Sequence, residues 1–159
     1  MSPARGLLGA AIALVLMTGA LSGCGTIKGI WEAEKEPADY GDVAAAVRAA
    51  VPRIVEVDEP SRSTNGFGHR LSLGMESDSA EPFTVEELDA LLEAIWTALP
   101  WEPNTVSVVV GADSPEGPVG VDLRTAAADL APLVVREAGQ GGVSVTGLQD
   151  RYGDWSAPE

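Results

Sequence analysis

The residues best suited to chemistry near the N-terminus form the tetrapeptide Leu21-Ser22-Gly23-Cys24, and Cys24 is the only cysteine among the 159 residues. A thiol that ionises near a membrane surface is a strong nucleophile, able to accept a transferred group. Arg5 and the free amino terminus give the chain a positive start, and Gly6 to Gly23 follows as 18 residues without a charge. This layout predicts a secretory signal that directs the chain out of the cytoplasm.

The tetrapeptide resembles the lipobox of bacterial lipoproteins, in which an aliphatic residue and two small residues precede a cysteine. The resemblance covers residues 1–24 only. It implies that diacylglyceryl is added to the Cys24 sulfur and that a signal peptidase recognises Leu21, Ser22 and Gly23 and cuts before Cys24. Because two acyl chains anchor a protein stably, the resemblance implies attachment to the membrane at the outer face of the cytoplasmic membrane.

Two other interpretations of the N-terminus stay open. The apolar run could be an uncleaved transmembrane helix, although 18 residues lie at the short end of what spans about 30 Å of hydrocarbon. The chain could also be a soluble secreted protein with a free thiol. Arg outnumbers Lys eight to two and Ala, Gly and Val are abundant, a composition similar to that of lipoproteins from GC-rich bacteria such as actinomycetes.

No arrangement of residues in the mature chain predicts catalysis. His69 is the only histidine, and the alternation of its strand places it on the apolar face, where packing is the expected role. The mature chain has no second histidine and no free cysteine with which to form a zinc site. No nucleophile-elbow motif is present around its serines. We therefore expect a chain that is not an enzyme and needs no cofactor, with an envelope hydrolase as the third alternative.

Two sets of residues are candidate binding positions. Asp113 and Glu116 lie in a predicted turn and could hold a cation through oxygen ligands, so a small-molecule or cation binder is the second alternative. Trp101, Tyr152 and Trp155 could supply apolar contacts to a partner. The alternative for these three residues is packing within the domain.

The charge balance excludes one class of partner. The chain carries 24 acidic and ten basic residues, a net charge of −14, and removal of residues 1–23 takes away Arg5 and makes it −15. Nucleic acids and anionic lipids are bound by matching phosphates with Lys and Arg, so we expect no nucleic-acid partner. The partner is expected to be an unidentified envelope protein or ligand.

Periodicity and turn signals predict eight elements in the order α-β-β-α-β-β-α-β. The helices are predicted at 42–51, 84–99 and 122–138, the last kinked or split by Pro132, and the strands at 53–58, 67–76, 105–112, 118–122 and 143–146. The segment 60–66 is predicted to be a mobile polar loop.

This order predicts an α+β fold, a two-layer sandwich of an antiparallel sheet with helices on one face. The predicted boundaries are a lipoprotein signal peptide at 1–23, a lipidated N-terminus and tether at 24–40, a single domain at 41–147 and a C-terminal tail at 148–159.

Overall fold

A computed structural model describes residues 38–159 of the chain. The predicted signal peptide, the lipobox and Cys24 lie outside the described residues. The helices are α1 (Val43–Ala50), α2 (Val85–Ala98), α3 (Arg124–Ala128) and α4 (Leu148–Tyr152). The strands are β1 (Ile54–Val57), β2 (Ser61–Asn65), β3 (Gly68–Ser77), β4 (Thr105–Ser114), β5 (Gly117–Gly120), β6 (Val134–Gly139) and β7 (Gly142–Thr146).

Helix α2 begins at a capping box, and the residues that form it, Thr84-Val85-Glu86-Glu87, have the spacing typical of one. The Thr84 hydroxyl accepts a hydrogen bond from the Glu87 amide at 3.2 Å, and the Glu87 carboxylate accepts one from the Thr84 amide at 2.9 Å. Two amides that no helical carbonyl can reach are satisfied in this way. The helix then buries an apolar stripe that includes Leu88, Leu91 and Ile95.

The seven strands form one mixed sheet in the order β1-β3-β4-β7-β6, with β2 also paired to β3 and β5 also paired to β4. The two-layer α+β fold is therefore confirmed, but the sheet is not purely antiparallel, because β3 and β4 run parallel. The prediction was wrong on this point for a topological reason. Helix α2 carries the chain back to the end of the sheet from which β3 started, so β4 must run in the same direction.

Two segments differ from the predicted elements. Residues 61–65, predicted as a mobile loop, form strand β2 on the edge of β3, because ladder hydrogen bonds come from the backbone and need no apolar side chains. The third helix ends at Ala128 instead of 138, and Val134–Gly139 is strand β6. Pro132 cannot continue a helix, and the β-branched pair that follows it favours a strand.

One face of the sheet packs against the helices. Leu71, Leu73 and Met75 of β3 and Val106, Val108 and Val110 of β4 join the buried helix residues in a single core. Strict alternation within the predicted strand 53–58 would put Val55 on the same face as Val57, but Val55 is 55 % exposed. The pairing of β1 with β3 shifts register between Ile54 and Glu56, and such a bulge interrupts strict alternation.

The first part of the C-terminal tail predicted at 148–159 is packed on the domain, and this corrects the prediction, whereas residues 156–159 are exposed. Residues 148–152 form α4, and Leu148 is 2 % exposed. Arg151 and Tyr152 contact α2, while the Trp155 indole N–H donates to the Leu99 carbonyl at 3.3 Å. The sequence offered no local signal for this packing, because the contacts join positions about 60 residues apart.

Candidate functional site

The face of the sheet opposite the core, here called the outer face, carries polar and small side chains from four neighbouring strands. Ser72 of β3 pairs with Ser107 of β4, Ser107 with Ser144 of β7, and Ser144 with Arg136 of β6. Two residues further along these strands, Arg70 pairs with Thr105 and Val134 with Thr146. The register therefore brings two arginines to opposite sides of a group of hydroxyls.

These residues surround a shallow depression of about 230 Å³, which we call the arginine depression. It is lined by Arg70, Thr105, Val134, Arg136, Ser144 and Thr146. Arg70 is half-buried, and its Nε has no hydrogen-bond partner among residues 38–159. Arg136 lies exposed on the edge strand β6.

Neither arginine of the depression forms an ion pair within the part of the chain that the structure describes. The ion pairs there join Arg53 to Glu87, Arg124 to Asp122 and Glu137, and Arg151 to Asp89. Residues 38–159 hold seven of the ten basic residues and 21 of the 24 acidic ones. Carboxylates are thus three times as numerous as cations, yet none lies within 4.0 Å of Arg70 or Arg136.

The other end of the outer face is acidic. Glu76, Asp78 and Asp113 line a second depression beside Val55 and Pro118. Glu76 follows Arg70 by six residues on β3, which separates the two by about 20 Å along the strand. The outer face therefore presents cations at one end and carboxylates at the other, and Asp58 and Glu59 border the small residues between them.

The candidate cation residues fall at this acidic end. Asp113 pairs with Pro118 in the β4–β5 hairpin, and the Glu116 amide donates to the Ser114 hydroxyl at 3.3 Å. Asp113 lines the second depression, whereas Glu116 does not. Within residues 38–159 no group of three or more His, Cys, Asp or Glu side chains is placed to hold a metal ion.

His69 belongs to an aromatic cluster at the start of β3. Its Nε2 lies 2.8 Å from an Arg62 guanidinium nitrogen, and its ring meets the Trp101 ring edge to face at 5.9 Å between centroids. A guanidinium can only donate, so Nε2 accepts and Nδ1 carries the proton of the neutral ring. Nδ1 is buried without a partner among the described residues. In this arrangement the imidazole has no free lone pair with which to take a proton from a substrate.

The three aromatic residues predicted as candidate partner contacts are each half-buried in the domain. Trp101 lies under the Arg62 guanidinium, 4.5 Å from its ring centroid, and donates its indole N–H to the Asp39 carbonyl at 2.8 Å. Tyr152 donates its hydroxyl to Asp89 at 2.7 Å. All three side chains, Trp155 included, pack against the core of the domain. This is the placement expected from the alternative to partner binding.

Asp89, Arg151 and Tyr152 form a charged clamp between α2 and α4. Arg151 donates Nε to Asp89 Oδ1 at 2.7 Å and Nη2 to Oδ2 at 2.6 Å, a bidentate pair. The hydrogen bond from Arg151 lowers the pKa of Asp89, and the same bond raises the pKa of Arg151. Burial, followed by the bond to Asp89, raises the pKa of Tyr152. These charged and hydroxyl groups hydrogen-bond to each other and hold α4 against α2.

Sequence reasoning missed the arginine depression. Alternation within 67–76 puts Arg70 and Ser72 on the polar face of β3, and alternation within 105–112 puts Thr105 and Ser107 on the small-residue face of β4. The pairing of those strands is set by the tertiary structure, however, and the sequence predicts a helix where Arg136 lies. The sequence of each strand shows which residues share a face, but not which strands are neighbours in the sheet.

The fold and the outer face define an α+β sandwich with one open, charge-divided sheet face. Comparison with protein-family models, with curated proteins and with solved structures finds no match for this chain. Among residues 38–159, no helix has both the length and the hydropathy needed to cross a bilayer.

Proposed function

We propose that this protein is a lipid-anchored envelope protein, held at the outer face of the cytoplasmic membrane, whose domain is a non-catalytic binding module. The observation that carries the anchoring is the tetrapeptide Leu21-Ser22-Gly23-Cys24 at the end of an uncharged run of 18 residues. Two acyl chains on Cys24 bury enough methylenes, at about 0.8 kcal/mol each, to make attachment stable.

The spacing between the anchor and the domain is consistent with this proposal. Residues 24–38 span at most about 50 Å when fully extended. The acidic domain can therefore stand away from the membrane surface by several Debye lengths, each about 8 Å. Repulsion between its carboxylates and anionic headgroups then has little effect on the anchored state.

The binding role rests on the outer face. Its central residues Ser72, Gly74, Ser107 and Val109 are small, partly exposed and bordered by Asp58 and Glu59. The charged groups at its two ends are opposite in sign. The support for a non-catalytic role is that the single histidine has its acceptor nitrogen occupied by Arg62. Hydrolysis of an envelope substrate by the purified domain, lost in His69→Ala, would contradict this part of the proposal.

The anchoring is tested by expressing the wild-type chain and Cys24→Ser in a bacterium fed a labelled fatty acid. We expect the wild-type protein to carry label, to enter the detergent phase and to begin at Cys24 by mass spectrometry. Cys24→Ser is expected to remain an unlabelled precursor that retains residues 1–23. Ser22→Ala is the matched control, because it keeps a small residue before the cysteine and is expected to be processed normally.

An unmodified thiol at Cys24 in native material would overturn the proposal. So would label of equal strength in Cys24→Ser, because the lipid would then be attached elsewhere. Each result is read from the mass of the N-terminal peptide, so it does not depend on how well the domain folds.

A further inference from the structure

We propose that the arginine depression binds a dianionic tetrahedral oxyanion, such as a phosphate group. This inference names a ligand class for the outer face and rests on the proposed binding role of the domain. It does not rest on the lipid anchor. Its residues are Arg70 and Arg136 with the hydroxyls of Thr105, Ser144 and Thr146.

The first argument is electrostatic. Seven arginines and 21 carboxylates share residues 38–159. Arg53, Arg124 and Arg151 form ion pairs there, and Arg62 lies over Trp101 and contacts His69. Arg48, Arg70 and Arg136 have no ion pair among these residues, but only Arg70 and Arg136 line a common depression. The carboxylates at the acidic end lie about 20 Å away, and the nearer Asp58 and Glu59 border Ser72, Gly74 and Ser107. No carboxylate among residues 38–159 lies within 4.0 Å of either guanidinium, so neither charge is neutralised by direct contact.

The second argument is the number of hydrogen-bond donors. Each guanidinium offers several N–H donors in a planar fork, and each of the three hydroxyls offers one more. The Nε of Arg70 is buried and has no acceptor among the described residues. A carboxylate carries two oxygens and one charge, but a phosphate carries more oxygens and close to two charges near pH 7. The second ligand matches the two guanidinium charges and uses more of the donors.

The third argument is size. Pockets for drug-sized ligands measure about 300–1,000 Å³, and the arginine depression is smaller, at about 230 Å³. A single anionic group fits this space better than a whole organic ligand. The rest of a phosphate monoester would lie over the neighbouring row of serines, Ser72 and Ser107, which present little bulk.

The position of Arg70 argues against an explanation from solubility alone. Charged side chains on edge strands prevent sheets from pairing with each other, and that reason covers Arg136 on β6. It does not cover Arg70, because β3 is paired on both sides there, to Ser63 of β2 and to Thr105 of β4. An arginine placed there, half-buried and without a carboxylate, requires an anion from elsewhere.

The test is calorimetric titration of the protein as purified from the membrane or the soluble fraction of the expressing cell, in detergent micelles, with inorganic phosphate at constant ionic strength. We expect saturable binding. Arg70→Gln and Arg136→Gln should each weaken it by about tenfold or more, because each removes a charge-assisted contact. Arg48→Gln is the matched control: Arg48 is exposed in the last turn of α1 and has no ion pair among residues 38–159. Its loss should change the affinity by less than about twofold.

A second titration with glycerol 3-phosphate separates two sources of the ligand. Binding of the monoester at least as tight as that of inorganic phosphate assigns the group to a larger molecule, and weaker binding assigns it to the free ion. Either result supports the site if Arg70→Gln and Arg136→Gln weaken the binding.

Three results would overturn the inference. They are the absence of saturable phosphate binding, tighter binding of glutarate than of phosphate, and an equal loss of affinity in Arg48→Gln. Thermal unfolding of each variant is measured in parallel, and the exposed Arg136 keeps the test decisive if Arg70→Gln unfolds. Because the lipid-labelling experiment on Cys24 is independent of these titrations, a failed titration leaves the anchoring proposal standing.

Discussion

Replacing Asp89 by Asn tests whether the clamp between α2 and α4 holds the C-terminal segment on the domain. The change keeps the shape of the side chain but removes the charge that accepts two hydrogen bonds from Arg151, at 2.7 and 2.6 Å, and one from Tyr152, at 2.7 Å. Hydrogen bonds to charged groups contribute about 1.5–3 kcal/mol each when well buried. The Asp89 side chain is 34 % exposed, so solvent screening reduces the total.

We therefore expect Asp89→Asn to lower the free energy of unfolding by about 2 kcal/mol. The assay is urea unfolding at pH 7, followed by tryptophan fluorescence. Asp129→Asn is the matched control, because Asp129 is exposed and its side chain forms no hydrogen bond or ion pair within residues 38–159. Its expected effect is within about 0.5 kcal/mol.

The pH dependence has a definite sign. Because the pKa of Asp89 is lowered in the folded state, its contribution is present above the unfolded value of about 3.9 and is lost as the pH falls through the lowered pKa. The difference in stability between the wild-type protein and Asp89→Asn should thus persist at pH 5 and close in acid. Equal stability of Asp89→Asn and Asp129→Asn at pH 7 would refute the reasoning, as would a difference that grows in acid.

Thr84→Ala should cost about 1 kcal/mol in urea unfolding through loss of the capping box, whereas Thr97→Ala, whose hydroxyl only returns to helix carbonyls, should cost less; equal losses would contradict the capping role. Gly142→Ala places a Cβ 2.5 Å from a carbonyl oxygen of β4 and should cost about 1–3 kcal/mol, while Gly111→Ala meets nothing closer than 3.9 Å and should be near neutral in the same assay. Because the pKa of Tyr152 is raised on folding, wild-type stability should decline as the pH rises above about 10. Tyr152→Phe should flatten that decline in thermal melts taken across alkaline pH, and an unchanged slope would count against the clamp.

Local patterns predicted the elements whose signals lie within a few residues of each other. Helix α2 begins at its capping box and buries its apolar stripe. Both features can be read from the sequence because the residues that form them are three or four positions apart. Strands β3 and β4 likewise follow alternation, which sets Leu71 and Val106 on the core face. The two-layer α+β fold follows from the order of these elements.

Other elements could not be predicted locally because competing signals were equally strong. Residues 122–138 contain helix formers before Pro132 and β-branched residues after it, and only pairing with β7 decides that Val134–Gly139 is a strand. Strand β2 is polar throughout, so its pairing with β3 is visible only in the backbone ladder.

The sequence by itself determined the single cysteine, the uncharged run before it, the excess of carboxylates and the two faces of each strong strand, since all of these are properties of neighbouring residues. Only the tertiary structure decided that β3 and β4 run parallel, that the last residues pack on α2 through Asp89 and Arg151, and that Arg70 and Arg136 flank one group of hydroxyls. The physical reason is that sheet order and register join residues far apart in the chain, and no local spacing carries that information.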